Sequence, residues 1–330
     1  MTEISHGVYV ELEQQLIDMG YFKRSYGYYA LLAVSIVCGA ILSIYILFAT
    51  DNLLIQLCNA IFLAFVMLQG GVLAHDFSHS QVFENKNINR TCAIFAFNLV
   101  LGLSEGNWNH THNAHHKYVN RSEYDPDLAM PFIFGEEQVE FKKHMYASLR
   151  PYQHFLFFIV LPFVYPIYII RSLEHVLSDI HWLALLELSL MVIHYVVFFG
   201  LIFFALPLMS AFIFSTVWSL IAGMYMALVF APNHKGMPMV AENQEVEWWH
   251  QIVCTRNLYP YTILFHMMGG LNYQIEHHLF PTMPRSNYPK VSPIVKKFCN
   301  RHNLTYHETT WTRSMKDIYS SLKEQAQKKP

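Results

Sequence analysis

Histidine occurs 19 times in this chain, and many of these residues are grouped in short clusters. The clusters follow the patterns HxxxH, HxxHH and QxxHH, and one further histidine stands alone after a long apolar run. The positions are His75, His79, His112, His115, His116, Gln274, His277, His278 and His234. A helix places positions i, i+3 and i+4 on one face. Each cluster can therefore direct its side chains at one point.

Neutral imidazole is the commonest metal ligand in proteins and suits iron, zinc and copper. A hydrolytic zinc site needs three protein ligands, typically with a glutamate base as in HExxH, and that motif is absent. The clustered histidines are too many for one open catalytic zinc. They suit two iron ions, each held by about four imidazoles with a position left for O2. Gln274 takes the place of a ninth ligand and could bind weakly or through water.

Carboxylates beside the clusters are candidates for holding the ligands in place, because a metal-bound histidine usually donates its second N–H to a carboxylate or carbonyl. The candidates are Asp76, Asp125, Asp127 and Glu276. The strongest is the Asp125–Asp127 turn, in which a rigid proline separates two acids. The alternative for each is a solvated acid in a loop.

The composition points to a membrane protein. Hydrophobic residues make up 53% of the 330-residue chain and charged residues only 14%, which is too apolar for an ordinary soluble domain. The net charge of −2 gives no basis for nucleic-acid binding. The five cysteines form no CxxC pair and are interpreted as structural thiols.

Four apolar runs are long enough to cross a bilayer, which takes about 20 residues. They cover residues 28–50, 53–75, 183–206 and 210–232 and form two hairpins. Two shorter runs, 91–104 and 154–170, are interpreted as interfacial or buried. In this layout every Lys and Arg falls on the side of both termini, which the positive-inside rule makes the cytoplasm. A five-span layout would divide the basic residues and is rejected.

The predicted fold is therefore an all-α integral membrane protein with four transmembrane helices and a cytoplasmic helical cap that holds the di-metal site. Residues 1–27 are a cytoplasmic or interfacial segment and residues 28–330 are the main domain, whose cap comprises 76–182 and 233–330. Pro289 is expected to open a helix through about Cys299, and another is expected near 312–327.

The sequence resembles the membrane-bound fatty acid desaturases, especially the front-end type, from about residue 28 to 310. The motifs that carry the resemblance are His75–His79, Trp108 with His112–His116, Asp125–Asp127, Asn233–Gly236, Thr255–Asn257 and Gly269–Pro281. Gln274, in place of the first histidine of the last motif, is typical of the front-end group. The resemblance implies two iron ions at the cytoplasmic face, an acyl chain in a buried tunnel and a cis double bond as product. Catalysis is then metal-centred, with O2 as co-substrate.

Many front-end relatives carry a fused cytochrome b5 domain with a His-Pro-Gly-Gly motif, which this sequence lacks. The 27 residues before the first predicted span are too few for such a domain, so no fused cytochrome b5 is expected. Electrons are therefore expected from a separate protein, either ferredoxin or cytochrome b5 with its reductase. This favours a bacterial inner-membrane location. The substrate is expected to be an acyl-CoA or an acyl lipid.

Two other functions compete with this interpretation. A lipid hydroxylase of the same superfamily would use the same metal chemistry but leave oxygen on the carbon. A metal transporter would place its ligands near the middle of its spans, whereas the clusters here lie at or beyond the ends of the apolar runs.

Overall fold

The computed structural model describes residues 5–122, 124–128, 147–241 and 243–327. Residues 129–146, within the predicted cap, lie outside the described residues. Contacts divide the chain into two compact units. The first comprises Met1–Lys23, His110–Val160 and Val229–Pro330, and the second comprises Arg24–Asn109 and Leu161–Leu228.

The described residues are mainly helical, as predicted. In chain order the helices are α1 (His6–Asp18), α2 (Tyr26–Ala49), α3 (Leu53–Ser78), α4 (Lys86–Phe95), α5 (Glu105–Lys117), α6 (Gln153–Val160), α7 (Val164–Ser178), α8 (Trp182–Ala205), α9 (Leu208–His234), α10 (His250–Val253), α11 (Thr262–Met267), α12 (Gln274–Leu279), α13 (Tyr288–Arg301) and α14 (Trp311–Gln327). A π-helical turn covers Ala96–Val100, and short 3-10 turns cover Pro126–Leu128, Ala147–Tyr152, Leu161–Phe163 and Arg285–Asn287. The two-residue strands β1 (Asn257–Leu258) and β2 (Glu308–Thr309) pair in parallel. The helices predicted after Pro289 and near 312–327 are confirmed as α13 and α14.

The four predicted spans correspond to α2, α3, α8 and α9, with helix ends within a few residues of the predicted bounds. Among the described residues, five helical stretches are long and apolar enough to cross a membrane, and the additional one is Ser148–Ser178. That stretch combines α6, α7 and 3-10 turns, and it contains prolines at positions 151, 162 and 166. The four-span layout and its assignment of sides therefore stay predictions.

Polar side chains join the α2–α3 hairpin in the second unit. Ser43 Oγ donates to Asn59 Oδ1 at 2.7 Å, and Asn59 Nδ2 donates back to the Ser43 carbonyl at 3.0 Å. Gln56 Nε2 donates to the carbonyls of Ile46 and Thr50 at the end of α2. Polar groups in an apolar environment must find partners within the protein, so these bonds fix how the two helices pair.

The segment after α4 does not form a span. Its π-helical turn leads into Gly102, whose φ of +65° is a left-handed conformation. Side chains of α7 and α8 donate to the carbonyls that this irregular backbone leaves without helical partners. The pairs are Tyr165 with Leu101, His194 with Leu99, and Tyr195 with Gly102. The expectation of a buried segment at 91–104 fits Phe97, Leu101 and Leu103, each at most 3% exposed.

The first unit has a core that joins both ends of the described chain. Leu12 and Leu16 of α1 belong to the same buried cluster as Ile275 of α12 and Val295 of α13. The Tyr9 hydroxyl donates to the Leu279 carbonyl at 3.0 Å. The N-terminal helix therefore packs against the segment that carries the third histidine cluster, while an interfacial role for residues 1–27 stays a prediction.

Candidate metal centre

Helix α5 carries the second histidine cluster, and its N-terminus is held by a buried acid. Ser104 Oγ accepts the Asn107 N–H at 3.0 Å, as an N-cap does. Glu187 of α8 accepts the Gly106 N–H at 3.1 Å and the Ser104 hydroxyl at 2.5 Å. A side chain at Gly106 would crowd Glu187, because its Cβ would lie 3.2 Å from Oε1. A negative charge at this position complements the helix dipole and fixes where α5 begins.

Three histidines from three motifs form a compact group in the first unit. The ring centroids of His115 and His234 lie 4.6 Å apart, those of His234 and His278 4.8 Å, and those of His115 and His278 5.1 Å. One ring nitrogen of each lies within 4.8 Å of the others. All three side chains are buried.

A second group adjoins the first through His278. His116, His277 and His278 also present nitrogens within 4.8 Å of one another. His112 extends this group, since its Nε2 lies 3.2 Å from His116 Nε2 and its ring centroid lies 6.2 Å from that of His277. The HxxHH and QxxHH clusters therefore meet.

These distances suit metal ions. Imidazole nitrogens bind first-row metals at about 2.1 Å, so nitrogens on one ion lie at most about 4.2 Å apart. The observed groups need only a small contraction to reach that spacing. His234 Nδ1 is buried and has no hydrogen-bond partner among the described residues, and an orphaned buried nitrogen is costly unless something binds it. The residues therefore fit a metal centre built on imidazole.

Asp125 contacts His115 directly, while its predicted role in holding a metal-bound histidine stays a prediction. Its two carboxylate oxygens lie 2.9 and 3.0 Å from His115 Nδ1, and they also accept the backbone N–H groups of Asn120 and Asp127. Asp127 Oδ2 lies 3.6 Å from the same Nδ1. Burial lowers the pKa of His115, but the charges of Asp125 and Asp127 outweigh it and raise the pKa to about 9. The contact occupies Nδ1, so Nε2 is the nitrogen of this ring that could hold a metal ion.

Two further anchors were missed by the sequence analysis. Gln251 Oε1 lies 2.7 Å from His278 Nδ1, and Gln251 Nε2 donates to the His116 carbonyl at 2.8 Å. The Tyr288 hydroxyl lies 3.3 Å from His277 Nδ1. Neither residue has a spacing relation to a histidine cluster, so no sequence signal pointed to them.

Gln274, predicted as a possible weak ligand, contacts a histidine directly. Its Nε2 lies 2.8 Å from His234 Nε2, and its Oε1 accepts from Asn233 Nδ2 at 3.2 Å. This contact orients the His234 ring. When the amide is rotated, its Oε1 accepts the N–H of His234 Nε2, and the lone pair of Nδ1 is then available to a metal ion.

Glu276, predicted to hold a ligand, makes hydrogen bonds of a different kind. Its carboxylate accepts from Asn257 Nδ2 and from the Tyr306 hydroxyl, both at 2.7 Å. Burial raises the pKa of Glu276 to about 7, although both hydrogen bonds act to lower it. These contacts tie α12 to β1 and to the segment before β2, so Glu276 fixes the helix that carries His277.

The first cluster lies at the end of α3 in the second unit. The rings of His75 and His79 are 4.6 Å apart between centroids. His75 Nδ1 lies 3.5 Å from Asp76 Oδ1, and the ring also lies 6.4 Å from the Trp108 ring. The two histidines of the HxxxH pair therefore lie side by side, and the predicted role of Asp76 stays a prediction.

The sequence of this chain is similar to those of known proteins. The sequence profile of the family described as fatty acid desaturase matches residues 51–310. The chain is 32% identical over 318 residues to acyl-lipid (9-3)-desaturase of Physcomitrium patens, which covers 93% of this chain and 60% of the moss protein. It is also 30% identical over 330 residues to fatty acid desaturase 3 of Bos taurus. This alignment covers 94% of this chain and 71% of the bovine protein.

A mouse protein, fatty acid desaturase 2-like protein FADS2B of Mus musculus, is 32% identical over 269 residues, 78% of this chain and 54% of the mouse protein. The chain thus spans between about half and seven tenths of the length of these relatives. The profile match covers most of the chain, including all of the histidine clusters. The chain therefore belongs to the fatty acid desaturase family of membrane proteins.

Proposed function

We propose that this protein is a front-end membrane desaturase that uses O2 and two externally supplied electrons to introduce a cis double bond into a lipid acyl chain. The observation that carries the proposal is the convergence of imidazoles from three separate motifs. The converging residues are His112, His115, His116, His234, His277 and His278. Membership of the desaturase family supports the same reaction.

The proposed cofactor is a pair of iron ions. The proposed ligands are the six converging histidines together with His75, His79 and Gln274. Iron, when bound, supplies the oxygen and electron chemistry that an unactivated methylene requires, because such a C–H bond offers no acid–base handle. An imidazole set of this size supports two ions better than one.

The proposed reaction converts two adjacent methylenes, O2, two electrons and two protons into a carbon–carbon double bond and two water molecules. The protein's part is to hold the ligands, to position the acyl chain and to keep water out. Asp125, Gln251 and Tyr288 hold imidazoles in fixed orientations, and the burial of His277 and His278 limits access by water.

The substrate and the electron donor belong to the same proposal. The moss relative is named an acyl-lipid desaturase, which supports an acyl lipid as substrate alongside an acyl-CoA. The electrons are proposed to come from ferredoxin or from cytochrome b5 with its reductase. The active site is proposed to face the cytoplasm, on the charge distribution of the sequence.

A fatty acid profile by gas chromatography–mass spectrometry tests the proposal. The full chain is expressed in a host fed acids of several lengths, with an electron donor co-expressed. His115→Ala is the test variant, and His181→Ala, at an exposed position, is the matched control. We expect a product two mass units lighter than its precursor from the wild type and the control but not from His115→Ala.

A product sixteen mass units heavier than its precursor would favour the hydroxylase instead. Cellular metal uptake with no altered lipid, across several donors and acids, would favour the transporter. Full activity in His115→Ala would contradict the assignment of that residue as a ligand.

A further inference from the structure

The C-terminal end of α9 is buried, and its last carbonyl groups need hydrogen-bond donors from outside the helix. His234 is the last residue of this helix. The final carbonyls of a helix have no partners within it, and here the end is buried, with Asn233 at 0% and His234 at 8% exposure. Pro232 weakens the same turn because it has no N–H to donate. Donors must therefore come from elsewhere in the chain.

One residue supplies most of these donors. Arg256 Nε donates to the Pro232 carbonyl at 2.6 Å, and its backbone N–H donates to the Asn233 carbonyl at 3.0 Å. Its Nη2 donates to the Lys235 carbonyl. Ser314 Oγ adds a second donor to the Pro232 carbonyl at 2.5 Å. The carbonyls on both sides of His234 are thus held by Arg256.

Arg256 is itself fixed in place. Its side chain is 1% exposed, and its Nη1 lies 3.4 Å from Asp317 Oδ2 on α14. Burial lowers the pKa of Arg256 to about 10, against the opposing effect of Asp317, so the guanidinium stays charged at neutral pH. A buried cation at a helix C-terminus complements the helix dipole. Gly236 follows with φ of +78°, the left-handed conformation that commonly ends a helix.

We propose that Arg256, assisted by Ser314, is a positioning residue that sets the orientation of His234 for metal binding. The inference rests on the proposed function, in which His234 is a ligand. The ring of His234 lies 4.6 Å from that of His115 and 4.8 Å from that of His278 between centroids, so a shift of its backbone moves one proposed ligand against two that are anchored elsewhere. Lysine cannot replace Arg256, because a single ammonium cannot reach both the Pro232 and the Lys235 carbonyl in a fixed fork.

The test is iron retention by the purified protein. The protein is loaded with Fe(II) without oxygen, and release to an excess of chelator is followed optically at a temperature at which every variant stays folded. Arg256→Lys is compared with Arg313→Lys, a matched control because Arg313 also pairs with Asp317 but is exposed. We expect Arg256→Lys to release part of its iron about tenfold faster than wild type, and Arg313→Lys to release it at the wild-type rate.

A double variant, Arg256→Lys with His234→Ala, distinguishes an effect on the orientation of His234 from a general loosening of the metal site. If Arg256 acts through His234, Arg256→Lys has no further effect on iron release in the His234→Ala background. Effects that add in the double variant overturn the proposal, as does release from Arg256→Lys within twofold of the Arg313→Lys control.

A second variant covers the case in which Arg256→Lys does not fold. Ser314→Ala removes one donor to the Pro232 carbonyl and should speed iron release about threefold. Unchanged release from Ser314→Ala then overturns the proposal. Failure of the proposed function is seen separately, since in that case the wild-type protein itself retains no iron.

Discussion

Asp125 is the residue whose removal should damage the metal centre most without removing a proposed ligand. Its carboxylate contacts His115 Nδ1 at 2.9 Å and accepts two backbone N–H groups, those of Asn120 and Asp127. Asn120 is 1% exposed, so water cannot readily replace the lost acceptor. The perturbation is Asp125→Ala, with Asp125→Asn as the milder change.

The expected magnitude has two parts. Loss of the carboxylate that orients a ligand typically costs 10–100-fold in metal affinity, or about 1.4–2.7 kcal/mol. The Asn120 N–H, buried without an acceptor, costs roughly 1–3 kcal/mol of folding stability. Asp125→Asn keeps one oxygen acceptor, so its loss of stability should be smaller, while its loss of iron affinity should remain because the negative charge beside His115 is gone.

Two assays on the purified protein separate these parts. Competition with a chelator measures the iron affinity, and thermal unfolding measures the folding stability. Asp127→Asn is the matched control, since its side chain is 34% exposed and lies 3.6 Å from His115 Nδ1. We expect the control to stay within twofold of wild type in iron affinity. Wild-type iron affinity in both Asp125 variants would refute the reasoning.

Three further variants test how the surrounding helices are held. Glu187→Ala, which removes the acceptor of the Gly106 N–H, should lower thermal stability by roughly 3 kcal/mol, and an unchanged melting temperature would contradict its role. Burial and the charge of Glu187 raise the pKa of Glu105 from 4.5 to about 7. The folded state therefore loses stability as pH rises from about 4.5 to 7, and Glu105→Gln should stabilise the protein more at pH 8 than at pH 5 in melting curves. Tyr9→Phe removes the bond to the Leu279 carbonyl and should cost about 1 kcal/mol, which equal melting curves would disprove.

The local part of this structure was predictable from the sequence. Runs of apolar residues set the positions of α2, α3, α8 and α9 to within a few residues, because a helix is the simplest way to satisfy the backbone in an apolar environment. The i, i+3, i+4 spacing predicted which histidines share a face. Asp125 was identified because a rigid turn places it just after the second cluster.

The long-range part was not predictable in the same way. Gln251 lies 27 residues before His278 and 135 residues after His116 in the sequence, and no periodicity relates them. The π-helical turn at Ala96–Val100 depends on donors from helices far along the chain. The packing of Leu12 and Leu16 into the core of the first unit likewise depends on residues near the other end of the chain.

The most direct test of the central claim uses purified protein under 18O2. The full chain is loaded with iron, reduced by ferredoxin or by cytochrome b5 with its reductase, and given an acyl lipid in detergent or vesicles, with His278→Ala alongside. The proposed desaturation predicts a product that has lost two hydrogens and contains no 18O, formed by the wild type and absent from the variant. A product that carries 18O on the chain, or equal product from the His278→Ala protein, would contradict it.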